Sequence, residues 1–179
     1  MALVKNSRPR YFGWVVGLPL IVLGETLRLW ALTYIGPTTR TRTICADRLV
    51  KGGPYSLTRN PLYLANFLKV LGILFIGGNR PLGGFILAFY SIEFASLIAY
   101  EEGFLAEKFP EAHRDYVARV PAFFPDGRYE GFDETPVYSI SEAVASEKRT
   151  FSSTGIILAI LGMKTLWANL PFRGEQLPA

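Results

Sequence analysis

Four long apolar blocks constrain the fold of this chain more than any other feature. They run over Tyr11–Tyr34, Leu62–Gly77, Leu82–Tyr100 and Thr154–Leu170. About 20 apolar residues are enough for a helix to cross a bilayer, and inside the bilayer only helices and closed barrels satisfy their own backbone hydrogen bonds. Only 19% of the 179 residues are charged, against about 25% in soluble domains. The sequence therefore predicts a single all-α integral membrane domain, residues 1–179, with about four transmembrane helices.

Two of the blocks are expected to form a helical hairpin, and one of them to lie inside the bundle. The turn signal is Gly78-Asn79-Arg80-Pro81, between the second and third blocks. The second block is short and carries Lys69, so it is expected to pack against protein rather than lipid. In the first block, Gly13 and Gly17 form a small-xxx-small face that suits close helix packing.

The hairpin would place two long polar segments, Gly36–Pro61 and Glu101–Phe151, on the same side of the membrane. Together these segments hold eleven Lys and Arg residues, against five on the opposite side. Because cytoplasmic loops are enriched in Lys and Arg, both segments are predicted to face the cytoplasm. No small-residue cleavage site follows the first block, so we expect that block to be retained as a span.

Ionisable residues inside apolar blocks are costly, and each is a candidate for function or for a buried pair. Glu25 and Arg28 lie three residues apart in the first block and are expected to pair with each other. Lys69 is expected to neutralise Glu93 on the neighbouring arm of the hairpin. The first pair is as readily structural as functional, whereas the second is more often structural than catalytic.

Several common kinds of site are absent from the sequence. His113, the single histidine, has no partner at metal-ligand spacing and is expected at the surface. Cys45 is interpreted as a small apolar filler. Because it is the single cysteine, a cysteine-cluster metal site is excluded, and no metal site is predicted. No Ser-His-Asp set or glycine-rich phosphate loop is present. The basic residues flank the apolar blocks without interleaved aromatics, so nucleic acid is not expected as a partner, and no protein partner is predicted.

The stretch GGPYSLTRNPLYLAN, Gly52–Asn66, is the most constrained polar loop, and it runs directly into an apolar helix. Gly52-Gly53-Pro54 forces a turn and is expected to leave backbone groups free to hydrogen-bond a ligand. Asn60 suits the N-cap of the following helix, and Pro61 suits its first turn. Helix capping explains these two residues and leaves the rest of the loop unexplained.

A pair of adjacent carboxylates, Glu101 and Glu102, ends the third block on the same side as this loop. A solvated helix end would explain them equally well in isolation. Alternatively, one carboxylate accepts hydrogen bonds from ligand hydroxyls, or faces a cationic ligand group, in a pocket at the membrane edge. Because two like charges are costly to bury together, only one of the two is expected to face such a pocket.

These motifs together resemble a known family. LVKGGPYSLTRNPLYLAN, followed by EE…F…Y…RVPAFFP, resembles the isoprenylcysteine carboxyl methyltransferases and their prokaryotic relatives, which include phospholipid methyltransferases. The upstream run GETLRLWALTYIG is similar to the family's usual approach to the loop. The resemblance covers roughly residues 24–125 and leaves an extra C-terminal helix at about 151–170. It implies a prokaryotic inner-membrane enzyme with its active site facing the cytoplasm.

The resemblance also implies a cofactor, a reaction and a set of site residues. S-adenosylmethionine would donate a methyl group in line, leaving S-adenosylhomocysteine, to a lipophilic acceptor: a prenylcysteine-like carboxylate, a phospholipid amine or another small lipophile. Arg59 and Glu102 are implied as candidate catalytic residues. The implied cofactor-binding residues are Leu49, Val50, Tyr55, Asn60, Tyr63 and Glu101. Since methyl transfer from a sulfonium is a simple displacement, alignment and desolvation can supply most of its rate.

Two positions depart from the family's pattern. The usual Arg-His-Pro is Arg59-Asn60-Pro61 here, and asparagine cannot take up a proton, which excludes Asn60 as a general base. Members that act on a prenylcysteine tend to carry an arginine one turn before the Glu pair, whereas Phe94–Tyr100 contains no cation. The acceptor is therefore not a prenylcysteine, or else Arg59 or Lys69 supplies the charge that meets its carboxylate.

Two other functions stay open from the sequence. Membrane sterol-type reductases share a similar hairpin and a related Arg-His-x-x-Tyr motif, but they use NADPH. The Gly-Pro-Tyr before the motif and the Glu-Glu after it favour the methyltransferase. A non-catalytic membrane scaffold of the same fold is the second alternative. Binding of S-adenosylhomocysteine or of NADPH would separate all three.

Overall fold

The computed structural model describes residues 11–36 and 48–169, and all regular structure in these residues is helical. This confirms the predicted all-α class. A single-turn 3-10 helix at Gly53–Ser56 precedes the second long helix. The α-helices are α1 (Tyr11–Ile35), α2 (Pro61–Gly77), α3 (Arg80–Lys108), α4 (Pro110–Arg119), α5 (Ile140–Ser146) and α6 (Lys148–Asn169).

Three of the described helices, α1, α3 and α6, are long and apolar enough to cross a membrane. The 25 residues of α1, for example, extend over about 37 Å at about 1.5 Å per residue. The fourth apolar helix, α2, has only 17 residues. The third block does not end at Tyr100 but continues as helix to Lys108, so the Glu pair lies within α3. Cys45 and Leu170 lie outside the described residues.

Helices α1 and α2 pack backbone against backbone through glycines. A Cβ added at Gly24 of α1 would lie 2.6 Å from the carbonyl oxygen of Ala65, and one added at Gly72 of α2 would lie 2.5 Å from that of Gly17. A Cβ at Gly13 would likewise collide with the backbone of α2. The structure thus confirms both the close packing predicted for the Gly13–Gly17 face and the internal position of α2.

The turn between α2 and α3 is the predicted hairpin. Gly78 has a left-handed φ of 70° and ends α2, a conformation that glycine adopts without a Cβ penalty. The side chain of Asn79 then caps α3 by accepting a hydrogen bond from the Leu82 amide at 3.2 Å. Lys164 of α6 donates to the carbonyl of Gly77 at 3.1 Å, so the last helix is tied to the same turn.

The buried charges pair differently from the sequence-based expectation. Glu25 forms its salt bridge with Lys69 of α2, and Arg28 bonds Glu147, with 3.1 Å between Nη2 and Oε1. Glu93 is exposed on α3. The predicted Glu25–Arg28 and Lys69–Glu93 pairs are therefore wrong. Because α2 and the junction of α5 with α6 both supply partners to the polar face of α1, each charge is met by another element, which spacing along one helix does not reveal.

Candidate active site

A cavity lies where the loop before α2 meets the last turns of α3 and the helix α4. All eight site residues predicted from the sequence lie along its wall, although their individual roles stay predictions. The complete lining is Ile35, Arg48, Leu49, Val50, Tyr55, Arg59, Asn60, Pro61, Leu62, Tyr63, Glu101, Glu102, Leu105, His113 and Tyr116. One end of the helix bundle therefore gathers a mixed set of aromatic, apolar and charged side chains.

The Gly52–Ser56 turn contributes Tyr55 to the cavity wall, and the backbone of the turn is largely engaged within the protein. The amide of Tyr55 donates to the carbonyl of Gly52 at 3.2 Å, and the Ser56 hydroxyl donates to the carbonyl of Gly53 at 2.6 Å. The amide of Gly52 donates to a carboxylate oxygen of Glu134 at 3.0 Å. The expectation that this turn leaves its backbone free for a ligand is therefore wrong for Gly52, because a distant segment already binds it.

Tyr55 offers the clearest open hydrogen-bonding group of the site. Its side chain is buried, and its hydroxyl has no hydrogen-bond partner among the described residues. Burial raises the pKa of this hydroxyl well above its ordinary value, so it stays a neutral donor. An unsatisfied buried polar group costs about 1–3 kcal/mol. A ligand in the cavity that accepts this hydrogen bond would remove that cost.

Both carboxylates of the Glu pair line the cavity, so the expectation that only one would face it is wrong. Glu102 is held by Arg59 in a bidentate pair, with 2.8 Å from Nε to Oε1 and 3.1 Å from Nη2 to Oε2. Glu101 instead accepts a hydrogen bond from the hydroxyl of Tyr63 at 2.8 Å. The guanidinium offsets the charge of Glu102, which lowers the cost of placing two carboxylates side by side.

Arg59 joins three segments of the chain. Besides its pair with Glu102 on α3, its Nη1 donates to the carbonyl of Val120 at 2.7 Å. Its backbone amide donates to the carbonyl of Pro121 at 2.9 Å. The guanidinium thus ties the loop to α3 and to the residues that follow α4. Its catalytic role stays a prediction.

Asn60 occupies the predicted N-cap position of α2, but its side chain does not cap the helix. Its Nδ2 donates instead to the carbonyl of Ala122 at 2.9 Å and to Oε1 of Glu102 at 3.3 Å. The predicted side-chain cap is therefore wrong. The segment after α4 crosses this loop and offers the carbonyl of Ala122, which satisfies the side-chain amide of the buried Asn60.

Three polar or aromatic lining residues were missed as site residues: Arg48, His113 and Tyr116. His113 was expected at the surface, but it is buried because α4 folds back after Pro110. Burial lowers the pKa of His113 below its ordinary value; the nearby Glu102 carboxylate opposes this shift, and the Arg59 guanidinium adds to it. No sequence signal marks this histidine. Tyr116, in contrast, is the tyrosine just before the RVPAFFP motif, so the sequence did contain a signal for it.

Comparisons with known proteins show the family to which the chain belongs. A family model described as phospholipid methyltransferase matches residues 12–112, more than half of the chain. That range contains all eight site residues predicted from the sequence. No solved structure matches the chain.

Three curated proteins are similar to it. The nickel-cobalt-cadmium resistance protein NccN of Alcaligenes xylosoxydans xylosoxydans is 33% identical over 110 residues, which is 62% of this chain and 48% of that protein. The cobalt-zinc-cadmium resistance protein CzcN of Cupriavidus metallidurans is 34% identical over 111 residues, 62% and 47% of the two chains. Protein-S-isoprenylcysteine O-methyltransferase B of Arabidopsis thaliana is 31% identical over 114 residues, 61% and 57% of the two chains. The chain thus spans about half the length of the curated relatives it matches.

Proposed function

We propose that this chain, which belongs to the phospholipid methyltransferase family, uses S-adenosylmethionine to methylate a lipophilic acceptor. The observation that carries this proposal is the convergence of the loop, Tyr63 and the Glu pair on one cavity. The protein is an integral membrane protein, with three long apolar helices in the part of the chain that the structure describes, so a lipophilic acceptor can approach from the bilayer. We place the cavity on the cytoplasmic side of the membrane, on the strength of the Lys and Arg distribution. The resemblance to prokaryotic relatives leads us to propose that this is a prokaryotic inner membrane.

The residues present suit the cofactor. The hydroxyl of Tyr55, which meets no partner within residues 11–36 and 48–169, is a hydrogen-bond donor, and the Glu101 carboxylate is an acceptor that also suits a cationic group. Tyr63 adds an aromatic face, and Leu49 and Val50 would contribute backbone groups. When bound, S-adenosylmethionine would supply a sulfonium methyl group, whose bond to sulfur breaks as the acceptor's nucleophile bonds the carbon and S-adenosylhomocysteine is released.

The chain's own part in this reaction is alignment and exclusion of water. Leu62 and Leu105 contribute apolar surface to the cavity wall, which limits the water around the reacting groups. The Arg59–Glu102 pair holds the loop against α3, and this keeps the two sides of the cavity in register. Accurate placement of two reactants can account for several orders of magnitude in rate, so this arrangement needs no general base at Asn60.

Glu101→Gln is expected to weaken the binding of S-adenosylhomocysteine to the purified protein at least tenfold. A hydrogen bond to a charged group contributes about 1.5–3 kcal/mol, and the amide keeps the size of Glu101 while removing its charge. Glu107→Gln is the matched control, since Glu107 lies on the same helix and is exposed. Isothermal titration calorimetry with S-adenosylhomocysteine and with NADPH measures the effect.

The result is informative in each direction. Wild-type protein that binds NADPH and not S-adenosylhomocysteine would support the reductase alternative. Wild-type protein that binds neither would support a scaffold. Equal affinities of the Glu101→Gln and Glu107→Gln proteins for S-adenosylhomocysteine would remove Glu101 from the site.

We further propose that the acceptor is not a prenylcysteine carboxylate. The two cations named from the sequence are each already paired, Arg59 with Glu102 and Lys69 with Glu25. Arg48, the other cation of the cavity wall, donates its Nη2 to the carbonyl of Tyr34 at 2.8 Å. An amine or another nucleophile on a lipophilic molecule needs no such cation. With tritiated S-adenosylmethionine, we expect methyl transfer into a membrane lipid extract and none into a prenylcysteine analogue. Robust turnover of that analogue would contradict the proposal.

The metal resistance named for two relatives does not lead us to propose a metal site in this chain. Within residues 11–36 and 48–169, no group of three His, Cys, Asp or Glu side chains lies close enough to hold a metal ion.

A further inference from the structure

A segment beyond the region matched by the family crosses the outside of the cavity wall. We call residues 132–147 the strap. Near its start, Glu134 accepts two hydrogen bonds through one carboxylate oxygen, from the amide of Lys51 at 3.1 Å and from the amide of Gly52 at 3.0 Å. These are adjacent backbone amides at the entry to the 3-10 turn. Glu134 itself does not line the cavity.

The strap is anchored to α1 at two further points. The amides of Val137 and Tyr138 both donate to the carbonyl of Thr33, at 2.9 and 3.0 Å. At the far end of the strap, Glu147 forms the buried ion pair with Arg28. The strap is therefore fixed to α1 on the C-terminal side of Glu134, by contacts that do not involve the cavity.

Two lines of contact lead from the strap to Tyr55. In the first, Glu134 accepts a hydrogen bond from the amide of Gly52, and the carbonyl of Gly52 accepts one from the amide of Tyr55 at 3.2 Å. In the second, the ring of Phe132 packs edge-on against Tyr116, with centroids 5.9 Å apart. The hydroxyl of Tyr116 donates to the carbonyl of Tyr55 at 2.6 Å. Both backbone polar groups of Tyr55 are thus supported by residues that the strap touches.

We propose that the strap is a positioning element of the cofactor cavity and that Glu134 is its positioning residue. A carboxylate that accepts two backbone amides forms charge-assisted bonds, which are stronger than neutral ones. Held in this way, the turn does not have to be ordered when ligand binds, and the entropy cost of binding falls. This inference rests on the proposed function, because it assigns the strap a role in binding the cofactor.

Glu134→Ala tests the proposal with two readouts. We expect S-adenosylhomocysteine to bind about tenfold more weakly, the loss that corresponds to one charged hydrogen bond. Hydrogen exchange without ligand should become faster in the peptide that carries the amides of Lys51 and Gly52, while the amides of α1 and α2 keep their protection. Asp133→Ala is the control, since it removes an exposed neighbouring carboxylate, and it should leave both readouts unchanged.

Glu134→Gln separates positioning from general unfolding. The amide side chain keeps one oxygen acceptor, so its losses of affinity and of protection should be smaller than those of the alanine variant. If Glu134→Ala and Asp133→Ala bind S-adenosylhomocysteine equally well and show the same exchange in this loop, the positioning role is wrong. If the wild-type protein binds no S-adenosylhomocysteine, the proposed function fails instead, whatever the exchange data show.

Discussion

Gly72→Ala is expected to destabilise the protein by about 3 kcal/mol, at the upper end of the usual cost of overpacking. A Cβ at this position would lie 2.5 Å from the carbonyl oxygen of Gly17 and 2.7 Å from Cγ1 of Ile21. The first neighbour is backbone and cannot rotate away, so α1 and α2 would have to separate. Thermal or denaturant unfolding in detergent micelles, followed by circular dichroism, measures the change.

Gly84→Ala is the matched control for this substitution. Gly84 lies in α3, and nothing lies within 4 Å of the Cβ it would carry. Alanine is favoured over glycine in a helix by about 1 kcal/mol, so this variant should be as stable as the wild type or slightly more stable. If the two alanine variants unfold alike, the close approach of α1 and α2 at Gly72 is not the contact that holds these helices together.

Arg28→Met is expected to destabilise the protein by about 3–5 kcal/mol, the usual cost of removing one partner of a buried ion pair. Glu147 is 0% exposed, and without Arg28 its charge would lose this cation. The guanidinium also donates to Oδ1 of Asn66 at 3.3 Å, so the variant would loosen α2 as well as the junction between α5 and α6. Chemical denaturation, with Glu93→Gln as the exposed single-charge control, measures the loss.

The double variant Arg28→Met/Glu147→Leu should recover much of this loss. Apolar side chains of similar size often replace a buried ion pair at little cost, because the desolvation penalty of both charges disappears. Removing the charge of Glu147 together with that of Arg28 therefore distinguishes an uncompensated charge from lost packing. A double variant that is no more stable than Arg28→Met would show that packing, and not charge, explains the single-variant effect.

The helices and their closest contact follow from local patterns. Apolar blocks of spanning length mark α1, α3 and α6 without any tertiary information, because a bilayer permits few other structures. The close-packing face of α1 also follows from the sequence, since Gly13 and Gly17 recur at a spacing that exposes the backbone on one helix face. The turn at Gly78–Pro81 is marked by its turn-forming residues, Gly78, Asn79 and Pro81. Each of these features depends on residues within about one or two helical turns.

Which residues line the cavity was predictable for a different reason. The order and spacing of the loop motif and the Glu pair resemble those of a family, and all eight residues carried over by position lie along one cavity. What each residue does there was less predictable. The amide of Asn60 binds the carbonyl of Ala122 rather than its own helix, because a segment 62 residues away crosses at that point. His113 is buried for a similar reason, since α4 folds back over the loop.

The sequence by itself thus determined that this is a helical membrane protein, where its apolar blocks lie and that the Gly13–Gly17 face of α1 suits close packing. The tertiary structure alone decided how the charges are distributed: Glu25 to Lys69, Arg28 to Glu147 and Glu102 to Arg59. It also brought Glu134 onto the backbone of Lys51 and Gly52. The physical reason is the separation along the chain between the residues that interact. Helix formation and membrane insertion depend on neighbouring residues, whereas a long charged side chain can reach any element that packs nearby, and only the folded chain specifies which element that is.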